Sequence, residues 1–176
     1  MTLIMKKHHK SIAAIITLLV LCGFAEPLCA AESLTIDPVD MAPLIAKVFM
    51  GLGVSLGLAG SAIGLSIGFQ ALLGGGSENF FKLIPVALMP SSQGIYAIVV
   101  LFTNLEAMDA DPFTAAGKGA VAGFAMLFSG WYQGMVCAAG IRSILEGRNT
   151  LANSLVAAAM PETYAVFALV MTFIMQ

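Results

Sequence analysis

The chain has 176 residues, of which 59% are apolar and only 10% charged, with a formal net charge of −2 and a mean hydropathy of +0.94. A water-soluble domain of this length needs far more polar residues to cover its core, so the composition is that of a membrane protein. No basic patch points to a nucleic-acid partner, and the net charge carries no information about one.

The first segment, residues 1–31, reads as a secretory signal peptide. "MTLIMKKHHK" is a basic start, "SIAAIITLLVLCGF" a short apolar core, and "AEPLCAAES" supplies small residues for cleavage near Ala30 or Ala31. An uncleaved extra membrane helix is the alternative. A lipoprotein site fits poorly, because Leu21 is bulky beside Cys22. Cys22 and Cys29 would leave with this segment, and Cys137 alone supports neither a disulfide framework nor a cysteine metal site.

Four apolar spans follow, roughly Val48–Leu73, Leu83–Leu105, Gly119–Ile141 and Leu151–Met175. At about 1.5 Å rise per residue each can cross about 30 Å of hydrocarbon. The links between them are short, so neighbouring spans form antiparallel hairpins. The predicted fold is an all-α membrane protein with four transmembrane helices. A cleaved signal peptide puts both mature termini on the outer side of the cell membrane. The loops with Lys82, Arg142 and Arg148 then lie inside, and the loop with Glu106, Asp109 and Asp111 outside.

The spans repeat. "LMPSSQGIYAIVVLF" from Leu88 aligns with "AMPETYAVFALVMTF" from Ala159, and "GSAIGLSIGF" from Gly60 with "GWYQGMVCAAG" from Gly130. A duplicated hairpin predicts a first repeat over 40–110 and a second over 111–176. In this alignment Glu162 stands opposite Ser91, so only the second repeat carries a carboxylate there.

Glycines recur at a spacing of four: Gly53 and Gly57, then Gly60, Gly64 and Gly68, then Gly130 and Gly134. Such spacing lets helices approach closely in lipid. It fits ordinary packing within one chain and also a narrow inner ring of helices from many copies.

Glu162 is the one Asp or Glu inside the four spans, and it lies mid-span. A bare charge at mid-bilayer costs about 2.5–3.5 kcal/mol on insertion scales. No Lys or Arg lies at matching depth, since Arg142 is at a helix end. A proton or a bound cation is left to neutralise it, unless the acid is purely structural. Met89, Ser92, Gln93 and Tyr96 share one face of the second span, and Gln133 lies near mid-membrane in the third. Ser and Gln offer neutral oxygens, and the tyrosine hydroxyl can donate to a carboxylate. Pro90 removes a backbone hydrogen bond and can turn a carbonyl outward. One carboxylate with neutral oxygens suits a monovalent cation, Na⁺ best, and is too poor in charge for a Ca²⁺ cage. Hydrogen bonding between helices would also explain Ser92, Gln93 and Gln133.

The runs "PSSQGIYA", "FSGWYQGMVCAAGI" and "MPETYAVFALV" resemble the K subunit of bacterial V-type (V/A-type) rotary ATPases. That subunit is a four-helix proteolipid, related to the proteolipid of eukaryotic vacuolar ATPases, and the resemblance covers roughly residues 45–175. It implies a homo-oligomeric rotor ring in which Glu162 carries one ion. It further implies ligands matching the Met89 carbonyl, Ser92, Gln93 and Gln133, with Tyr96 as the supporting hydrogen bond. Ser92 stands where a threonine can occur. The implied partners are a stator subunit with an arginine, central-stalk subunits and membrane lipid, and the cargo is Na⁺ or H⁺ with no cofactor. The chain has no G-x-x-x-x-G-K-[ST] loop and no Ser/His/Asp set, since His8 and His9 lie in the signal segment. It is therefore expected to catalyse nothing by itself, with ATP chemistry on partner subunits. A small stand-alone cation channel or transporter with an intramembrane carboxylate is the alternative.

Overall fold

The structure is a computed structural model that describes residues 41–76 and 79–175. Residues 1–31, expected to form a signal segment and holding Cys22 and Cys29, lie outside the described residues. The elements are α1 (Met41–Leu73), α2 (Phe80–Leu88), a 3₁₀ turn (Met89–Ser91), α3 (Ser92–Thr103), α4 (Ala107–Ala110), α5 (Pro112–Leu145) and α6 (Leu151–Ile174). Among the described residues four stretches are long and apolar enough to cross a membrane: α1, α2 to α3 taken together, α5 and α6.

Two expected boundaries are corrected. The first and third spans, expected from Val48 and Gly119, begin at Met41 and Pro112. Lys47 and Lys118 end the apolar run but not the helix. Pro43 and Pro112 sit in first turns, where a missing N–H leaves no hydrogen bond broken. Asp111 caps α5 by accepting from the Thr114 N–H at 3.3 Å. At this end of the bundle Lys47 Nζ lies 3.0 Å from Asp109 Oδ1, and both side chains are more than half exposed.

The second span is interrupted, and the fourth is not. Pro90 takes ψ of 17°, outside the helical range, and the chain tightens into the 3₁₀ turn before α3 begins. Pro161, which also follows a methionine, lies inside the continuous helix α6. The same Met-Pro pair therefore stands at a break in the second span and inside an unbroken helix in the fourth.

The long helices α1 and α5 form the most extensive contact, and α5 also touches α3 and α6, whereas α1 and α6 do not meet. Glycine makes the approach possible. A Cβ on Gly60 would lie 2.6 Å from the Met126 carbonyl oxygen, and one on Gly130 would lie 2.6 Å from the Gly60 carbonyl carbon. In lipid, where water supplies no drive for association, this backbone proximity is what van der Waals attraction and interhelical hydrogen bonds need. Gly57 faces α3 instead, where a Cβ would lie 2.5 Å from Ala97 Cβ. The glycine spacing thus serves two neighbours of α1.

Buried apolar side chains form two separate clusters. One holds Met50, Ala97, Val100, Ala122, Met126 and Ala165. The other includes Leu72, Val86, Ala87, Cys137, Ile141 and Ala158. Along α5 the interval between Met126 and Cys137 holds Ser129 and Gln133, and along α6 the interval between Ala158 and Ala165 holds Glu162. A polar layer is therefore sealed above and below by apolar packing. Cys137 is fully buried in the second cluster and is a packing residue.

Candidate ion-binding site

Glu162 lies about 17 Å along α6 from its start and about as far from its end, at 1.5 Å per residue. Each carboxylate oxygen receives one donor from a different helix. Tyr96 Oη, on α3, donates to Oε1 at 3.0 Å. Gln133 Nε2, on α5, donates to Oε2 at 3.2 Å and also to the Ala158 carbonyl at 2.9 Å. Gln133 Oε1 in turn accepts from Gln93 Nε2 at 2.6 Å. Both glutamines are completely buried, and helices α3, α5 and α6 are tied together through one carboxylate.

A fourth side chain completes the network, and the sequence pattern alone does not single it out. Ser129 Oγ accepts from Gln93 Nε2 at 3.1 Å and donates to the Pro161 carbonyl at 2.7 Å. A signal for it exists in the sequence, since Ser129 stands one turn before Gln133 on the same face of an apolar span. A second such residue is Ser61, whose Oγ accepts from the Gly94 N–H at 2.8 Å. Gly94 lies in the first turn of α3, where backbone donors lack intrahelical partners. Ser61 thus caps α3 from α1 and fixes its rotation one residue after Gln93.

Among the described residues two buried oxygens, Ser92 Oγ and Gln93 Oε1, have no hydrogen-bond partner. Met89, expected on this face, opens the 3₁₀ turn, and its side chain packs on the second apolar cluster. Among the described residues no group of three or more His, Cys, Asp or Glu side chains could hold a metal ion. The carboxylate therefore stands with neutral partners alone. Beside the site a groove of about 550 Å³ opens between α5 and α6, with Phe128, Ser129, Tyr132, Pro161 and Tyr164 among its walls.

Four long apolar helices agree with the relationships of the sequence. Residues 116–175 match the family model of the ATP synthase C subunit. The V-type sodium ATPase subunit K of Enterococcus hirae is 30% identical over 142 residues, covering 77% of this chain and 87% of that protein. The chain belongs to the K-subunit proteolipid family of V/A-type ATPases. The A-type ATP synthase subunit K of Methanocaldococcus jannaschii is 34% identical over 131 residues, covering 69% of this chain and 59% of that protein. The match thus spans less than two thirds of that archaeal K subunit.

Proposed function

We propose that this chain is a rotor-ring subunit of a V-type ATPase or ATP synthase that carries Na⁺ on Glu162. The observation that carries the reading is that Ser92 Oγ and Gln93 Oε1, two buried oxygens on α3, have no hydrogen-bond partner among the described residues, while Tyr96 on the same helix meets the mid-span carboxylate directly and Gln93 reaches it through Gln133. A buried acceptor left unpaired costs about 1–3 kcal/mol. A single cation held between the two oxygens would satisfy both at once, whereas a proton on Glu162 would bring only one new donor. Glu162, Gln93, Ser92 and Gln133, with the Met89 carbonyl, would supply the ligands, and Tyr96 would hold the carboxylate in place. One negative charge matches one monovalent cation. The sodium ATPase relative from Enterococcus hirae supports the same choice.

The electrostatics give the coupling. With an ion bound, Glu162 is neutral and can face lipid. Without one, the anion is costly there and is tolerated only beside a cationic group and water. An arginine on a stator subunit would provide that setting, so release and rebinding are tied to rotation of a ring of identical chains. ATP chemistry would lie on other subunits. The two hairpins, 40–110 and 111–176, would then be duplicated halves of which only the second carries an ion.

Carbodiimide modification of membranes, with mass mapping of the product, tests the reading. The reagent attacks a protonated carboxyl in an apolar setting. Labelling of Glu162 that Na⁺ blocks is the expected result. Labelling indifferent to Na⁺ would make the ring a proton carrier, and no labelling at any pH would remove Glu162 from the ion path.

A further inference from the structure

We infer that Ser129 is a positioning residue of the ion site, which turns the Gln93 amide so that its oxygen, and not its nitrogen, is presented to the cation. The inference rests on the Na⁺ reading of Glu162. It comes from following each proton in the network. Ser129 has one hydroxyl proton, and that proton goes to the Pro161 carbonyl at 2.7 Å. Toward Gln93 the serine can therefore offer only a lone pair, and what faces it at 3.1 Å is Nε2. Gln133 gives the same instruction. Both groups facing its nitrogen, the Ala158 carbonyl and Glu162 Oε2, accept only. Its oxygen is thus left to meet Gln93 Nε2 at 2.6 Å.

Both N–H groups of Gln93 are consumed in this way, and its Oε1 is the atom left without a partner. An amide reversed about its last torsion would aim two N–H groups where the oxygen stands, and a cation would meet partial positive charge. Ser129 and Gln133 together prevent that reversal. Only Gln133 also touches the carboxylate, so Ser129 can be altered without removing a partner from Glu162. The Pro161 carbonyl that orders the serine lies one residue before Glu162, so the group that sets Gln93 is itself fixed by the ion-carrying helix.

Three chains test this: the natural one, Ser129→Ala and Ser129→Thr, each assembled into the intact complex. The Na⁺ concentration that half-protects Glu162 from carbodiimide is measured at one fixed pH, alongside the labelling rate without Na⁺ and the oligomer size. The groove beside Ser129 has room for the extra methyl of threonine. Ser129→Ala is expected to raise the half-protecting Na⁺ concentration about tenfold, the equivalent of about 1.4 kcal/mol, with the Na⁺-free labelling rate and oligomer size unchanged. Ser129→Thr, which keeps the hydroxyl, is expected to restore protection to within about twofold of the natural chain. Equal protection of the natural and alanine chains would overturn the inference, as would failure of the threonine variant to restore protection in intact oligomers. If Na⁺ fails to protect even the natural chain, the Na⁺ reading itself falls and takes the inference with it.

Discussion

Glu162 receives its two donors from α3 and α5, so its conformation is determined by the packing of three helices and not by its own rotamer preferences. Replacing it with glutamine keeps the shape and removes the charge. Glu162→Gln is expected to abolish ATP-driven ion transport in reconstituted complexes, with oligomers of unchanged size on a native gel; vigorous transport by that variant would remove the carboxylate from the mechanism. Gln93→Ala takes away an amide that bridges Ser129 and Gln133 and also an oxygen proposed to meet the ion. It should raise the Na⁺ concentration for half-maximal transport at least tenfold, and an unchanged value would displace Gln93 from the ligand set. Glu162 is legible because it is the one acid inside the four spans, Gln93 and Tyr96 because they are polar at helical spacing, and Gln133 because it is polar near the middle of the third span. Ser129 and Ser61 are not, because serine is common in membrane helices and bonds to its own backbone, as Ser55 and Ser66 do here. Only the partner across the helix interface separates a working serine from an idle one.

Helix number and order could be read from hydropathy, since in lipid every span must satisfy its own backbone and little besides helix is available. Helix length could not, because α1 and α5 extend beyond the apolar run into residues with ordinary helix propensity. Nor was the unequal effect of the two prolines visible. Pro90 and Pro161 follow the same residue type, and the difference lies in the surroundings: Pro90 packs beside Gly64, and Gly94 beyond it finds its hydrogen-bond partner in Ser61 on another helix. The break in the second span is therefore held open by a tertiary contact. Removing that contact isolates its contribution. Ser61→Ala leaves the buried Gly94 N–H without its acceptor and is expected to destabilise the chain by about 1–2 kcal/mol. A thermal denaturation midpoint in detergent should fall by a few degrees, and no shift would mean that α3 is capped in another way.

At the scale of the whole molecule, the charged side chains among the described residues, Glu162 apart, lie toward the ends of the bundle, beyond the two apolar clusters. One end carries Lys82, Arg142 and Arg148, with Glu146 bound to Arg148 at 3.0 Å. The other carries Glu106, Asp109, Asp111 and Lys118, with Lys47 bound to Asp109 at 3.0 Å. Pairing removes one cation from each count, three falling to two at one end and two to one at the other, so the basic excess of the first end is unchanged. The direction is still that of basic loops retained in the cytoplasm, and a cleaved leader would require the same arrangement. Orientation matters to the proposed function because it fixes which side of the membrane the basic loops would offer to a stalk. Single cysteines placed at Ala110 and Asn149, both exposed, in an otherwise cysteine-free chain would report it directly. A membrane-impermeant maleimide applied to intact cells is expected to label Ala110→Cys, and Asn149→Cys only after the membrane is opened. The reverse pattern would place the basic end outside, in conflict with a cleaved leader followed by four crossings.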